Sequence, residues 1–379
     1  MSRTDHVYQA LLEALGGRSP VILRDANADI AQDLAEWRAA LRFHGIAGAI
    51  PASAKLPEPL LEAIAAERQA AKILALARHE VLATLTGALH AAGIEALALK
   101  GARLAYTVYS QPWQRPSGDI DLLIRPADLP RARKLFRTNG FVPDPAAPAT
   151  FAQTAWVSGP HFGQRVAVDL HTAMSSAPVI AAALSPDPFA AKVRLDAIGA
   201  DAWGTDGADT LMHLALNRAA HLHFGYGHDD TLVRHEDRLG WLVDADRLAR
   251  SFTAADWTAL CTATLRSGLH RSVGELLQKA TDALHTPVPQ EILAKLADQQ
   301  GDDTALAYYA AASEMQRVLA NVRALPARNR LSYARLHLFP PRTTLMQRHP
   351  DKAGWPLPAL YAYRLTRGLR TLWRGLFGK

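Results

Sequence analysis

The feature that most constrains this chain is a pair of aspartates inside an apolar segment of strand length. Residues 119–124 read DIDLLI, so Asp119 and Asp121 alternate with Ile120 and Leu122. A strand places alternate side chains on opposite faces, which puts both carboxylates on one face. At ~4 Å two such charges repel by about 4 kcal/mol for an effective dielectric of about 20. The pair therefore predicts a bound cation, and carboxylate oxygens favour Mg²⁺.

A second segment, Arg165–His171 (RVAVDLH), repeats this pattern, with valines on one face and Asp169 and His171 on the other. If it pairs beside residues 119–124, Asp169 joins the other two carboxylates. Three carboxylates from neighbouring strands would form a two-metal centre, in which one ion activates an acceptor hydroxyl and the other steadies a leaving pyrophosphate. A D-x-D pair alone more often marks a solvated strand end, so the prediction depends on its surroundings.

The remaining pattern predicts an α+β fold. The strands are expected at Ile94–Leu99, Asp119–Ile124, Thr150–Ser158, Arg165–His171, Lys192–Leu195 and Ala202–Trp203. Helical periodicity is present in Ala71–Leu89, Leu129–Asn139, Thr210–His223, Arg238–Ser251, Ala254–Leu265 and Thr304–Ala324. Six prolines mark residues 325–358 as loop-rich.

We predict three regions along the chain. They are an N-terminal helical region (1–90), an α+β core (91–206) and a C-terminal helical region (207–379). The last region ends in a basic, aromatic and amphipathic tail, Leu357–Lys379. Such a tail could lie on an anionic membrane, although packing against the body with its arginines in solvent is the commoner outcome.

Composition narrows the class of partner. The chain has 42 Lys and Arg against 36 Asp and Glu, a net charge of +6. This surplus suits phosphate-bearing ligands, but without a basic-aromatic stripe near the aspartates nucleic acid is not expected. A single cysteine, Cys261, allows no intramolecular disulfide. With no secretory signal and no long apolar run, we expect a cytoplasmic protein.

Five ordered motifs resemble the uncharacterised nucleotidyltransferase family of the polymerase-β superfamily. The family's pattern is an LKG strand end, an Arg shortly before D-I-D-L-L-V, a GF or GY after the next helix, and a later D-L-H. Here these motifs are Leu99-Lys100-Gly101, Arg115, Asp119-Ile120-Asp121-Leu122-Leu123, Gly140-Phe141 and Asp169-Leu170-His171. The close match covers roughly residues 94–171, and a weaker one continues to about residue 250.

The resemblance implies a polymerase-β-like core, a mixed sheet flanked by helices, with Asp119, Asp121 and Asp169 as catalytic metal ligands. The triphosphate would lie near the end of the first strand, beside Lys100 and Gly101. Glycine permits close backbone approach, and the following helix offers its N-terminus to an anion. The superfamily usually has Ser after this glycine, whereas here Ala102 follows.

Other polar residues near the motifs have open roles. Arg115 could neutralise phosphate or be a surface loop residue, and Lys100 could equally be a solvated strand end. His171 could orient a carboxylate or contact phosphate or the acceptor, or it could be a packed, hydrogen-bonded residue. His221 and Asp244 resemble scattered polar positions of the family and could line an acceptor pocket, although helix capping and core hydrogen bonds explain them as well.

Five histidines crowd residues 213–235 and invite a zinc hypothesis. They are His213, His221, His223, His228 and His235. No ligand spacing typical of zinc sites appears among them, and cysteine is absent nearby, so a chance cluster is the better interpretation.

These observations together predict a Mg²⁺- or Mn²⁺-dependent nucleotidyltransferase. It would move a nucleoside monophosphate from an NTP to the hydroxyl of a small molecule, peptide or protein, and release pyrophosphate. Two alternatives stay open: transfer of another group, such as a sugar from a nucleotide sugar, on the same metal site, or a non-catalytic nucleotide-binding regulatory module.

Overall fold

A seven-stranded mixed sheet forms the centre of the protein. The computed structural model describes residues 3–17, 30–145, 147, 150–184, 187–228, 231–311, 313–352 and 354–366. The strands of the sheet are β1 (Ala96–Ala98), β2 (Asp119–Ile124), β3 (Val142–Pro143), β4 (Gln153–His161), β5 (Gln164–His171), β6 (Lys192–Arg194) and β7 (Trp203–Thr205). Their spatial order is β3-β4-β5-β2-β1-β7-β6.

The direction of the strands sets the middle of the sheet. β2 lies between β1, to which it is antiparallel, and β5, to which it is parallel. β4 pairs antiparallel with β5, and β7 pairs parallel with β1. Asp-bearing segments that are far apart in sequence therefore lie side by side at the centre.

Helices surround the sheet and form most of the C-terminal half. They are α1 (Arg3–Leu15), α2 (Ile30–His44), α3 (Glu58–Ala91), α4 (Lys100–Thr107), α5 (Leu129–Thr138), α6 (Pro178–Ala183), α7 (Gly207–Phe224), α8 (Leu239–Arg250), α9 (Ala254–Ser267), α10 (His270–Leu284), α11 (Gln290–Asp298), α12 (Thr304–Ala310), α13 (Glu314–Ala324), α14 (Ala327–Leu338), α15 (Arg342–Arg348) and a final helix, α16, over residues 357–366. A hairpin of β8 (Tyr226–His228) and β9 (Thr231–Val233) follows α7.

The two faces of the sheet belong to different hydrophobic cores. Ile120 and Leu122 pack in a cluster with the buried side of α3, including Val81 and Leu85. Leu123, on the opposite face of β2, packs in a larger cluster with the N-terminal and C-terminal helices. The alternation in DIDLLI thus produces a strand that is covered on both sides but carries its charges at one end.

Local signals in the sequence explain where several elements end. Gly93 has φ +66° directly after α3, and Gly140 has φ +80° directly after α5. These left-handed conformations suit glycine and stop the helices. The side chain of Asp206 accepts a hydrogen bond from the backbone N–H of Asp209 and caps the start of α7.

The predicted α+β class is confirmed, and of the six predicted strands only Asp119–Ile124 keeps its bounds. The strand expected over Ile94–Leu99 is only Ala96–Ala98, because the N–H of Ile94 bonds to the last turn of α3 and Leu99 already precedes α4. The strand expected over Thr150–Ser158 runs from Gln153 to His161. The chain reverses at Phe162 and Gly163, both with positive φ.

Two predictions for the C-terminal part were wrong. The helix expected over Thr304–Ala324 is divided into α12 and α13, because Ser313 starts a new helix with a capping box. Residues 325–358, expected as loops, contain α14 and α15. Pro326 and Pro341 precede these helices at their N-caps, where a proline does not interrupt helical hydrogen bonds. Helices α10 and α11 were not predicted.

The amphipathic tail is described only to residue 366. Helix α16 packs on the body: Leu360 is buried, the Tyr361 hydroxyl donates to the carbonyl of Pro340, and Arg364 donates to that of His337 at 2.8 Å. The remainder of Leu357–Lys379, residues 367–379, lies outside the described residues. Within the described part of the chain, none of the helices combines the length and apolarity that crossing a bilayer requires. The division into three regions stays a prediction.

Candidate active site

The register between β2 and β5 brings the predicted carboxylates together. Asp121 lies directly opposite Asp169, and Asp119 lies opposite Ala167. Neighbouring residues of paired strands point to the same face, so the carboxylates share it. Asp121 is buried, with 6% of its surface exposed, while Asp119 and Asp169 are half-buried. The acidic face is therefore partly shielded but reachable.

Each carboxylate has a polar neighbour that orients it. His171 Nε2 lies 2.8 Å from Asp121 Oδ1, and Lys100 Nζ lies 3.6 Å from Asp121 Oδ2. The side-chain amide of Gln153, on β4, donates to Asp169. The Ser117 hydroxyl lies 3.3 Å from Asp119 Oδ1. Sequence reasoning did not identify Gln153, because its contact depends on the pairing of β4 with β5.

Mutual repulsion controls the protonation of this cluster. The charge of Asp121, followed by burial, raises the pKa of Asp119. Burial, followed by the charges of Asp121 and Asp119, raises the pKa of Asp169 to about 6. Burial alone would raise the pKa of Asp121 as well, but Lys100 and the hydrogen bond with His171 outweigh it and hold that pKa below its usual range. Asp121 is thus the fixed anion of the group.

The donor set suits a divalent cation. Ligand atoms of Asp121, Asp169 and His171 all lie within 4.8 Å of one another, and they are the group able to hold a metal ion among the described residues. His171 Nδ1 is buried and has no hydrogen-bond partner. Several carboxylate oxygens fit Mg²⁺ or Mn²⁺, and an added cation would offset the repulsion within the cluster. The sequence predicted Asp119, Asp121 and Asp169 as the ligands, but in this group His171 stands in place of Asp119, which lies on the same face outside it.

Lys100 and Gly101 lie beside this centre. Lys100 has φ +30°, a backbone conformation that residues other than glycine rarely adopt and that is most frequent at functional sites. It is the first residue of α4, and only Leu99 separates it from β1. A Cβ at Gly101 would lie 2.8 Å from Arg115 Nη1 and 3.0 Å from Ser117 Oγ. The hydroxyl of Ser117 thus lies close to Gly101, which is followed in the chain by Ala102.

Arg115 and Asp244 form a buried ion pair with each other. Arg115 Nε lies 2.9 Å from Asp244 Oδ1, and Arg115 Nη2 lies 2.8 Å from Oδ2. The hydroxyl of Tyr109 donates to the same carboxylate at 2.7 Å. Burial alone would lower the pKa of Arg115, but Asp244 outweighs it and raises that pKa. This ion pair links α8 to the loop before β2. The roles of Arg115 in phosphate binding and of Asp244 in acceptor binding stay predictions.

The histidines of the sequence cluster have separate neighbours. His221 stacks on Trp241 with 5.7 Å between ring centroids, and His223 stacks on Tyr309 at 6.2 Å. His213 is buried in α7, and its Nδ1 has no hydrogen-bond partner. Burial, followed by the charge of Lys100, lowers its pKa well below the usual range. His213 therefore stands as a neutral imidazole near Lys100, a position that its helical pattern did not reveal.

A cleft beside Asp119 contains a cation that the sequence analysis missed. Arg78, on α3, lines it together with Gly101 and Ser117. The sequence does contain a signal for this residue, because Arg78 stands one helical turn before the buried Leu82, on the apolar side of the helix. An arginine on such a face is uncommon without a partner.

An α+β fold whose central strands bring aspartates side by side, next to a strand-to-helix turn with Lys100 and Gly101, is consistent with a nucleotidyltransferase domain. The family model described as "Uncharacterised nucleotidyltransferase" matches residues 31–285. The chain belongs to this family, as its motifs predicted. No curated protein matches the chain. The matched range begins before α3, so it includes Arg78 and Asp244 as well as the carboxylates.

Proposed function

We propose that this protein is a metal-dependent nucleotidyltransferase that moves a nucleoside monophosphate from an NTP to an acceptor hydroxyl. The observation that carries the proposal is the placement of Asp121 opposite Asp169 on parallel strands, with Asp119 on the same face. Such a cluster of mutually repelling carboxylates is suited to bind cations and, through them, a triphosphate.

The chain's own residues would divide the work of the reaction. Asp119 and Asp121 would bind both metal ions of a two-metal centre. Asp169, oriented by Gln153, would bind one of these ions and accept the proton of the acceptor hydroxyl. When bound, Mg²⁺ or Mn²⁺ neutralises phosphate charge and favours ionisation of the hydroxyl. The acceptor oxygen forms a bond to the α-phosphorus, the bond from that phosphorus to the β-phosphate bridge breaks, and pyrophosphate leaves with the electron pair.

Other residues of the site would position these groups. Lys100 and Gly101, which lie beside the carboxylates, would contact the phosphates of the NTP. His171 would hold Asp121 in its orientation through their hydrogen bond. We expect the acceptor to be a small molecule, a peptide or a protein and not nucleic acid, and we expect the protein to act in the cytoplasm.

Transfer of label from an NTP tests this proposal. The protein is incubated with each NTP labelled at the α-phosphate, with Mg²⁺ or Mn²⁺ and a cell extract, and the wild type is compared with the Asp119→Ala/Asp121→Ala variant. Asp302→Asn serves as the matched control, because Asp302 is exposed. Label transferred with pyrophosphate release, lost in the double variant and kept in the control, is the expected result.

The same experiment separates the alternatives. Equal transfer by the wild type and the double variant would refute the catalytic role of the carboxylates. Transfer from a nucleotide sugar labelled in the sugar, with none from α-labelled NTP, would indicate the other transferase. Binding of NTP without turnover in any extract would indicate a regulatory module.

A further inference from the structure

Arg78 is half-buried, and its guanidinium forms no salt bridge with any described residue. Its Nε and Nη2 atoms are shielded from solvent, and no hydrogen bond to either atom is formed within the described part of the chain. Burial lowers the pKa of Arg78 to about 10, so the side chain still carries its charge at neutral pH. A buried charge without a counter-ion costs several kcal/mol in effective desolvation, which a folded protein keeps only when something offsets it.

The neighbouring cations already have partners. Lys100 lies 3.6 Å from a carboxylate oxygen of Asp121, and Arg115 forms its bidentate pair with Asp244. Arg78 alone of these three lacks such a partner among the described residues. The charge that acts most strongly on it is that of Asp119, with which it forms no salt bridge.

Arg78 lines a narrow cleft of mostly apolar surface beside the carboxylates. The cleft has about 20 Å³ of room for water-sized groups and opens to solvent. The lining of the cleft includes small residues, Ala75 on α3 and Ala102 and Ala105 on α4. Ser117 and Asp119 also line it.

We infer that Arg78 contacts a phosphate group of the nucleotide at the cleft between α3 and α4, beside Asp119. This inference deepens the proposed function, on which it rests for the identity of the anion. The guanidinium supplies directional donors that match phosphate oxygens, and in a partly dry cleft each such contact is stronger than in water. Helix α3, outside the predicted core, thus becomes part of the substrate site.

Binding of inorganic triphosphate and of each NTP, measured by calorimetry with and without Mg²⁺, tests this inference without any need for turnover. The variants are Arg78→Met, which keeps length and removes charge, and Arg78→Lys, which keeps charge and removes the planar donors. Arg328→Met on α14 is the matched control, because Arg328 is exposed. We expect Arg78→Met to weaken triphosphate binding about 10- to 100-fold, Arg78→Lys to weaken it less, and the control to change nothing.

Thermal unfolding separates a binding role from a structural one. Without ligand, Arg78→Met should melt no lower than the wild type, since it removes an unpaired buried charge, whereas its stabilisation by triphosphate should shrink. A lower ligand-free melting temperature with unchanged triphosphate affinity would overturn the inference. So would a wild type that binds neither inorganic triphosphate nor any NTP.

The outcome for Arg78 can be distinguished from that of the proposed function. If no NTP supports transfer but Arg78→Met still weakens triphosphate binding, the inference stands and the transferase proposal fails. If the wild type transfers label and Arg78→Met does so with an unchanged KM for NTP, the transferase stands and Arg78 has no part in binding.

Discussion

Removing one partner of the Arg115–Asp244 pair should destabilise the protein strongly. Only 14% of the Arg115 side chain and 4% of the Asp244 side chain are exposed, so each charge depends on the other. Asp244→Ala leaves the guanidinium buried without its carboxylate, and such a change costs about 3–5 kcal/mol. The hydroxyl of Tyr109 loses its acceptor in the same variant.

A double-mutant cycle measures how much of this cost belongs to the pair. The free energy of unfolding is obtained from urea titrations followed by tryptophan fluorescence for Arg115→Ala, Asp244→Ala and the combined variant. Because each single change leaves the other charge unpaired, the combined variant should cost much less than the two single costs together. Asp244→Asn, which keeps an acceptor oxygen, should fall between Asp244→Ala and the wild type.

Two results would refute this reasoning. One is a cost below about 1 kcal/mol for each single variant, which is typical of exposed pairs. The other is simple additivity in the cycle, which would show that the two side chains do not share one environment. In either case Arg115 would be free to contact phosphate, as its position in the motif had suggested.

Three further predictions follow from the packing and from the carboxylates. Gly240→Ala should destabilise the protein by about 1–3 kcal/mol, because the added Cβ would lie 2.6 Å from the backbone carbonyl oxygen of His44. Gly87→Ala, in a helix with open space around this position, should stabilise the protein by about 0.5–1 kcal/mol. Urea titration of both variants measures the two free energies of unfolding. The pKa of Asp169 is raised to about 6, so between about pH 4 and 6 the folded protein binds more protons than the unfolded chain. Without metal, the stability of the wild type relative to Asp169→Asn should therefore fall as pH rises through this window. Melting temperatures of both proteins, measured in EDTA, would contradict this expectation if the difference between them did not change with pH. Protons compete with metal for these oxygens, so Mg²⁺ should raise the melting temperature of the wild type more at pH 7.5 than at pH 5, and Asp121→Asn should lose most of that rise.

The central strands could be predicted from sequence because their information is local. In DIDLLI and VDLH a period of two separates charged from apolar residues within one segment, and the parallel register then places Asp121 beside Asp169. Partners that come from distant segments had no such signal. Gln153 reaches Asp169 through strand pairing, and Asp244 reaches Arg115 across more than a hundred residues of chain.

The errors in the C-terminal part have a different physical cause. The prolines of residues 325–358 predict loops, although at an N-cap or in the first turn a proline lacks only an N–H that the helix does not use. Pro326 and Pro341 both occupy such positions. The helical periodicity of Thr304–Ala324 is continuous and so did not reveal where the helix is interrupted. Ser313 starts a new helix there through its capping box.

Helix α3 has 34 residues and is therefore about 51 Å long. Its first turns, with Leu60 and Ile64, belong to one hydrophobic cluster, and its later turns, from Ala77 to Leu89, cover the sheet from the other side. A shortened chain that begins at residue 91 would keep every aspartate of the motif, yet it would leave Ile120 and Val168 facing water and would lose Arg78. The smallest fragment able to fold with an intact cleft should therefore start ahead of Glu58, and truncation from the N-terminus should abolish folding well before it reaches the first strand.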